Sequence, residues 1–398
     1  MATVNCSLRD QIFARESLAI SPQRPLAPPR SASSAGSLWQ SRFSSTLLSS
    51  SHASSSSSIA GQRNGFAVFA QLVQTESASA RVKQPQSKTW TWKRDQMKLN
   101  ISYEEHVCSE ISDGPLQTLI LLPSISDVST TEEWRQVAFK LLGRDGSRWR
   151  IVIVDWPGFG LSDRPRMEYT ADVMEGFLKD FLTSSDSPIS MSVLERPPAI
   201  VGAGHAATLA MRAVKKGLIN AQAIVAVAPT WAGPMPIVFG REPDMESRYN
   251  LLRGSLQAPA LGWMMYNFMV SSPDNIRKQY LSHVYADPNN VTPSLLESRL
   301  ALTKREGARF APAAFLTGLL DPVTSREDFL SLVADLEGKS SVLIAAASQA
   351  PKRSKAEMLV LNGARGVSKY VEVNGGLLPQ EEYPEEVSEV IYDFLADI

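Results

Sequence analysis

Val152-Ile153-Val154-Asp155-Trp156-Pro157-Gly158-Phe159-Gly160-Leu161-Ser162-Asp163 is an apolar run that ends in a turn. The residues from Trp149 to Asp155 suit a strand, and Pro157-Gly158-Phe159-Gly160 stops it. Upstream, Thr118-Leu119-Ile120-Leu121-Leu122 is a second short run, closed by Pro123. Neither run alternates apolar with polar, so each reads as a strand buried on both faces of a parallel sheet. Between them Trp134, Val137, Ala138, Leu141 and Leu142 recur with helical spacing.

The same alternation continues outward. Val173, Met174, Phe177, Leu178, Phe181 and Leu182 mark an amphipathic helix beginning near Thr170. A strand is expected at Ala199-Ile200-Val201, a helix from about His205 to Lys216, and a strand through Ala223 to Ala228. Further strands are expected at Ser341 to Ala346 and Val367 to Val373, and a last helix begins at Pro384. Its buried stripe is Val387, Val390, Ile391, Phe394 and Leu395. At the front, Thr89 to Trp92 and Leu99 to Val107 read as two paired strands. Strands alternating with helices imply an α/β fold, a mostly parallel sheet of about eight strands with helices on both faces. The pattern breaks from about Trp231 to Leu336, a long helical stretch rich in Trp, Met and Tyr that reads as an inserted lid. Within it, Leu261 to Val270 either lines a pocket or packs the lid onto the body, since Met and aromatic residues fill irregular cores.

The stretch Val152–Asp163 resembles the strand-and-turn signature of α/β hydrolases. Trp134, the tail Pro379-Gln380-Glu381-Glu382-Tyr383-Pro384-Glu385-Glu386-Val387 and the last helix carry the same resemblance, over residues 88–398. The lidded single-domain branch, with its plastid and bacterial esterase-like members, is the nearest likeness. In that signature Asp155 and Asp163 shape the turn and cap the next segment.

The resemblance implies a Ser-His-acid centre, with the Ser on a Gly-x-Ser-x-Gly elbow between strand and helix. Here the matching segment is Gly202-Ala203-Gly204-His205-Ala206, so Gly204 stands at the nucleophile position without oxygen or sulfur. After the strand ending at Ala346, the acid position falls on Ala350. Aligning Pro379 with the family's Gly-His-x-Pro context places Leu377 at the histidine position, and no His comes after His283. Pro123-Ser124 stand where the oxyanion loop usually carries His-Gly. The degenerate positions lie in separate motifs, so the expected function is that of a non-catalytic pseudo-hydrolase. Pro123, Ser124, His205 and Asp321 would line its pocket, and a small apolar ligand or a protein partner would be bound. The alternative is a working esterase-like enzyme with replacement groups, drawn from Ser124, His205 or Asp321, and from His283 in the lid. Each of these also has a plain reading: His205 as a helix-start residue, His283 as lid surface, Asp321 as a lid or cap residue.

The 398-residue chain is close to neutral, at formal charge -1, which gives no electrostatic argument for nucleic acid. Cys6 and Cys108 are its only cysteines, so no thiolate cluster for a metal can be built and no cofactor is expected. Cys108 reads as a packed small side chain. Residues from Met1 to about Ala70 are rich in Ser, Ala and Pro, with the run Ser54 to Ser58. Arg9, Arg15, Arg24, Arg30, Arg42 and Arg63 are opposed only by Asp10 and Glu16. That composition is a transit-peptide signature, closer to chloroplast than to mitochondrial leaders, with residues 71–87 as a linker. Pro229, Pro234 and Pro236 argue against a membrane-spanning helix in the apolar stretch from Ile224 to Gly240.

Overall fold

Eight strands form one sheet in the order β1-β2-β4-β3-β5-β6-β7-β8. The computed structural model describes residues 86–107, 116–144, 148–190, 194 and 196–398. The expected leader, Cys6, Cys108 and most of the expected linker lie outside these residues. Strands β1 (Gln86–Arg94) and β2 (Met97–Val107) make an antiparallel hairpin, and β2 also runs antiparallel to β4 (Trp149–Val154). From there on the sheet is parallel, through β3 (Gln117–Leu122), β5 (Ala199–Ala203), β6 (Ala223–Val227), β7 (Ser341–Ala347) and β8 (Lys369–Val373). Every residue of β5 and β6 is buried, the result expected of strands covered on both faces.

The two faces are covered by different helices because side chains alternate along each strand. Ile120, Leu122 and Ile200 face a core built with α2 (Ala171–Thr183) and α3 (His205–Lys215). Leu119, Leu121, Ala199 and Val201 face the other, built with α1 (Glu132–Leu142) and the last helix. The Thr170 hydroxyl caps α2 by accepting the Val173 N–H.

Between β6 and β7 the chain forms α4 (Pro234–Phe239), α5 (Pro243–Gln257), α6 (Pro259–Met269), α7 (Pro273–Gln279), a π-turn at Tyr280–Val284, α8 (Pro293–Thr303), α9 (Phe310–Leu316) and α10 (Arg326–Ala334). The helices α4 to α8 each start on proline, where the missing N–H costs nothing. Thus prolines that forbid one long spanning helix instead punctuate a set of short ones. Among the described residues no helix is long and apolar enough to cross a membrane. Three helices complete the fold: α11 (Lys352–Leu359), α12 (Pro379–Glu382) and α13 (Pro384–Ala396). The polar α11 buries only Met358, so it left no apolar stripe to read in the sequence.

The turn after β4 is held by its acids. The Asp155 carboxylate accepts the Leu161 N–H at 2.8 Å, and the Asp163 carboxylate accepts the Asn100 N–H at 2.7 Å. Two tryptophans pin the end of β3: Trp134 Nε1 donates to the Leu122 carbonyl and Trp156 Nε1 to the Pro123 carbonyl, both at 3.0 Å. These contacts set where the loop after β3 leaves the sheet.

Candidate functional site

Register brings the loops of interest to one edge. Leu122 pairs with Gly202, Ala203 with Val227, Val227 with Ala345, and Ala347 with Val373. The loops after β3, β5, β6, β7 and β8 therefore all leave the sheet at its carboxyl edge, where open α/β sheets bind ligands.

After β5 the chain makes a sharp elbow into α3. Gly202 is required there, since a Cβ would lie 2.6 Å from the Ala207 backbone nitrogen. Gly204 is the residue before α3 and sits at φ +56° and ψ −127°, with its N–H on the Val227 carbonyl at 3.0 Å. Among the described residues beyond its two chain neighbours, a Cβ added to Gly204 would meet only the Thr230 Oγ1 within 4 Å, at 3.4 Å. The backbone thus presents position 204 above the sheet, but no side chain is there to present.

His205 comes next, buried at 2% exposure. Its Nδ1 lies 2.6 Å from Thr230 Oγ1 and its Nε2 lies 3.1 Å from Asp321 Oδ1. A carboxylate only accepts, so Nε2 carries the proton on that side. In the neutral ring Nδ1 is then the acceptor of the Thr230 hydroxyl hydrogen. Asp321 is held in turn by the Gly233 N–H at 2.9 Å and by the Arg241 guanidinium. Gly233 is the residue before α4, so Asp321 ties the root of the inserted helices to the elbow. The Phe315 ring meets the imidazole edge-on at 5.0 Å, and Thr208 Oγ1 donates to the Thr230 carbonyl at 2.8 Å.

Ser124 is engaged elsewhere. Its N–H and its hydroxyl both donate to the Glu133 carboxyl, each at 2.8 Å. Gln380 Nε2 donates to the same carboxyl at 3.3 Å. Burial pushes the Glu133 pKa up to about 7, the Glu381 charge adds to this, and the Ser124 hydrogen bonds and Arg299 oppose it. Arg299, buried on α8, bonds Glu132 at 2.7 Å and also Glu381, a second charged tie between the inserted helices and the body. Pro123 lends its carbonyl to Trp156 and is itself buried.

Ala350 is buried in the turn after β7. Leu377 lies in the loop after β8, where its N–H donates to the His283 carbonyl at 3.3 Å and Leu378 N–H donates to the Val284 carbonyl at 3.3 Å. The π-turn of the inserted helices is thereby zipped to the loop that holds Leu377. His283 is half-buried rather than a free surface group: Nδ1 contacts Ser282 Oγ at 2.6 Å, and burial lowers its pKa.

Of the residues singled out in the sequence, the fold joins His205 to Asp321 and leaves Ser124 with Glu133. Three important groups were not singled out. Thr230 and Arg241 come from segments 25 and 80 residues away from their partners, with no local pattern to mark them. Glu133 did leave a sign: it shares a helix face with Val137, and an acid on an apolar face needs a partner. Among the described residues no group of His, Cys, Asp or Glu is placed to hold a metal ion. A cleft of about 830 Å³ opens away from the elbow, lined by Leu99, Arg164, Arg166, Arg305 and Phe310 among others. It includes none of Pro123, Ser124, His205 and Asp321.

A parallel sheet with an antiparallel start, an elbow before α3 and helices inserted after β6 together define the α/β-hydrolase fold. A match to the alpha/beta hydrolase family model over residues 119–390 establishes that the chain belongs to that family. Solved structures share the fold at low identity. A serine hydrolase involved in carbazole degradation aligns at TM-score 0.53 and 17% identity, covering 79% of this chain and 100% of its own. A thermophilic esterase from Thermogutta terrifontis aligns at TM-score 0.54 and 14% identity, with 78% and 98% covered. A haloalkane dehalogenase from Agrobacterium tumefaciens C58 aligns at TM-score 0.52 and 16% identity, with 78% and 97% covered. Comparison with curated proteins gives no match.

Proposed function

We propose that this protein is a pseudo-hydrolase: a member of the family that has given up Ser-His-acid ester hydrolysis at the usual positions and binds a small apolar ligand over the elbow. The observation that carries this reading is Gly204, which keeps the elbow backbone at φ +56° and has no side chain. Ala350 and Leu377 replace polar groups with apolar ones at the other two family positions, and apolar surface favours an apolar ligand. A protein partner is the second reading, favoured by Trp263 and Met264 on α6, which are 61% and 59% exposed. The Ser-rich, Arg-bearing leader supports residence in the plastid.

Mass spectrometry of small molecules released from the purified, denatured protein tests the reading. One apolar compound enriched over a control protein is the expected result. Steady-state ester turnover by the unmodified protein would overturn it. For the location, residues 1–81 fused to a fluorescent reporter should direct it to plastids, and a cytosolic signal would refute that assignment.

A further inference from the structure

We infer that Thr230 is an acyl-accepting hydroxyl, activated by His205 as base and positioned by Asp321 through His205. The proposal goes beyond ligand binding, which stands without a covalent bond. It rests on the geometry of a nucleophile, a base and an orienting acid in series. Thr230 Oγ1 is 2.6 Å from His205 Nδ1, and His205 Nε2 is 3.1 Å from Asp321 Oδ1. Those separations are within the range in which a hydroxyl is activated by a base that a third group orients. The tautomer is the required one, because Asp321 claims the Nε2 proton and leaves Nδ1 free to accept.

Place matters as much as distance. Among the described residues other than its two chain neighbours, Thr230 Oγ1 is the one atom within 4 Å of the Cβ a residue would have at position 204, at 3.4 Å. The hydroxyl absent from the elbow is thus supplied beside it, from the loop after the neighbouring strand. Gly204 and Thr230 are both half-buried, whereas Ser124 is buried. The amino end of α3, whose first amides lack helical partners, begins at the same point and favours developing negative charge. Arg241 neutralises Asp321 from the far side without contacting Thr230 in any described hydrogen bond.

The substrate class is an activated carboxylic ester. Thr230 Oγ1 bonds to the carbonyl carbon while its proton passes to His205 Nδ1. The tetrahedral intermediate then breaks its bond to the leaving oxygen, which takes that proton from Nδ1. The products are a threonyl ester and a free alcohol, with no oxidant or co-reactant.

The test uses the full chain with p-nitrophenyl acetate. The expected result is a burst of one equivalent of p-nitrophenolate and an acetyl group mapped to Thr230 by peptide mass spectrometry. Thr230→Val should abolish both and Thr230→Ser should restore them. His205→Ala should slow the burst by about 100-fold or more. Asp321→Asn should slow it too, and should displace the pH profile of the burst, which a tie that only holds the chain in place would leave where it is. No burst, a burst that survives Thr230→Val, or an acetyl group mapped only elsewhere would overturn the proposal. Mapping on the unmodified protein decides the matter even if a variant fails to fold. A protein that retains an apolar ligand but is not acetylated refutes only the covalent step, and one acetylated on Thr230 that retains no ligand refutes only the binding reading.

Discussion

Two loops at the carboxyl edge of the sheet hold similar groups and use them differently. After β3, the Ser124 hydroxyl sits directly on a buried carboxyl, Glu133, at 2.8 Å. After β5 and β6, the Thr230 hydroxyl reaches a carboxylate only through the imidazole of His205. Ser124 and Glu133 are 8% and 1% exposed, and Gln380 closes over them. Such a pair is a structural lock, in which both Ser124 donors are engaged and the site is buried. The second series includes a base that can take a proton and a half-buried hydroxyl to give one. Hydroxyl and acid alone are therefore poor evidence of chemistry: what lies between them and what can reach them decide the matter.

The largest effect should come from breaking the lock. Glu133→Ala strands the Ser124 N–H, the Ser124 hydroxyl and the Gln380 amide in a dry site, and should cost about 3–5 kcal/mol in chemical denaturation. It should leave acetylation of Thr230 unchanged in the folded fraction, and a lost burst would erase the distinction between the two loops.

Next comes the elbow backbone. Gly202→Ala places a Cβ 2.6 Å from the Ala207 nitrogen, and main chain cannot swing aside as a side chain can. A loss of about 1–3 kcal/mol is expected in the same measurement. Gly204→Ser meets nothing closer than the Thr230 hydroxyl and bears only the backbone strain of φ +56°, about 1–3 kcal/mol, so it should fold. It should show no steady-state ester turnover, because triad members act as a unit. Adding Leu377→His and Ala350→Asp to it should raise turnover above that of the single variant. Equal rates for single and triple variants would mean that these loops do not converge as the family resemblance implies.

A pH dependence also separates the lock from its surroundings. Glu133 rises from the usual 4.5 to about 7 in the folded protein. Below pH 4.5 both folded and unfolded chains hold the proton, and the group contributes nothing. Between 4.5 and 7 the unfolded chain releases the proton while the folded one keeps it, so stability is lost as pH rises. Above about 7 the loss is constant. Asp155, raised by burial from 3.8 to about 7, acts in the same direction. Glu104 acts oppositely: burial raises its pKa, but His106, Arg135 and Thr131 outweigh that and bring it down to about 2. Its stabilisation is complete above 4.5 and is lost as pH falls toward 2. Denaturation midpoints measured across this range should decline on both sides, and Glu133→Gln should flatten the neutral limb.

The sequence by itself determined the sheet, because continuous apolar runs such as Thr118–Leu122 and Ala223–Ala228 can be satisfied only by burial on both faces. It also determined the elbow, since Gly202 and Gly204 permit a turn that side-chain-bearing residues resist, and the absence of a nucleophile at position 204 was plain. The partners of each polar group were decided only by the tertiary structure. His205 reads as a helix start, yet a hydroxyl 25 residues on and a carboxylate 116 residues on close around its ring. Ser124 reads as a candidate nucleophile, yet α1 turns Glu133 onto it. Apolar burial leaves a periodic trace along the chain because it acts on every turn of a helix and every second residue of a strand. A hydrogen bond between distant segments is a single contact, made only when the sheet has brought their ends together, and it leaves no period to read.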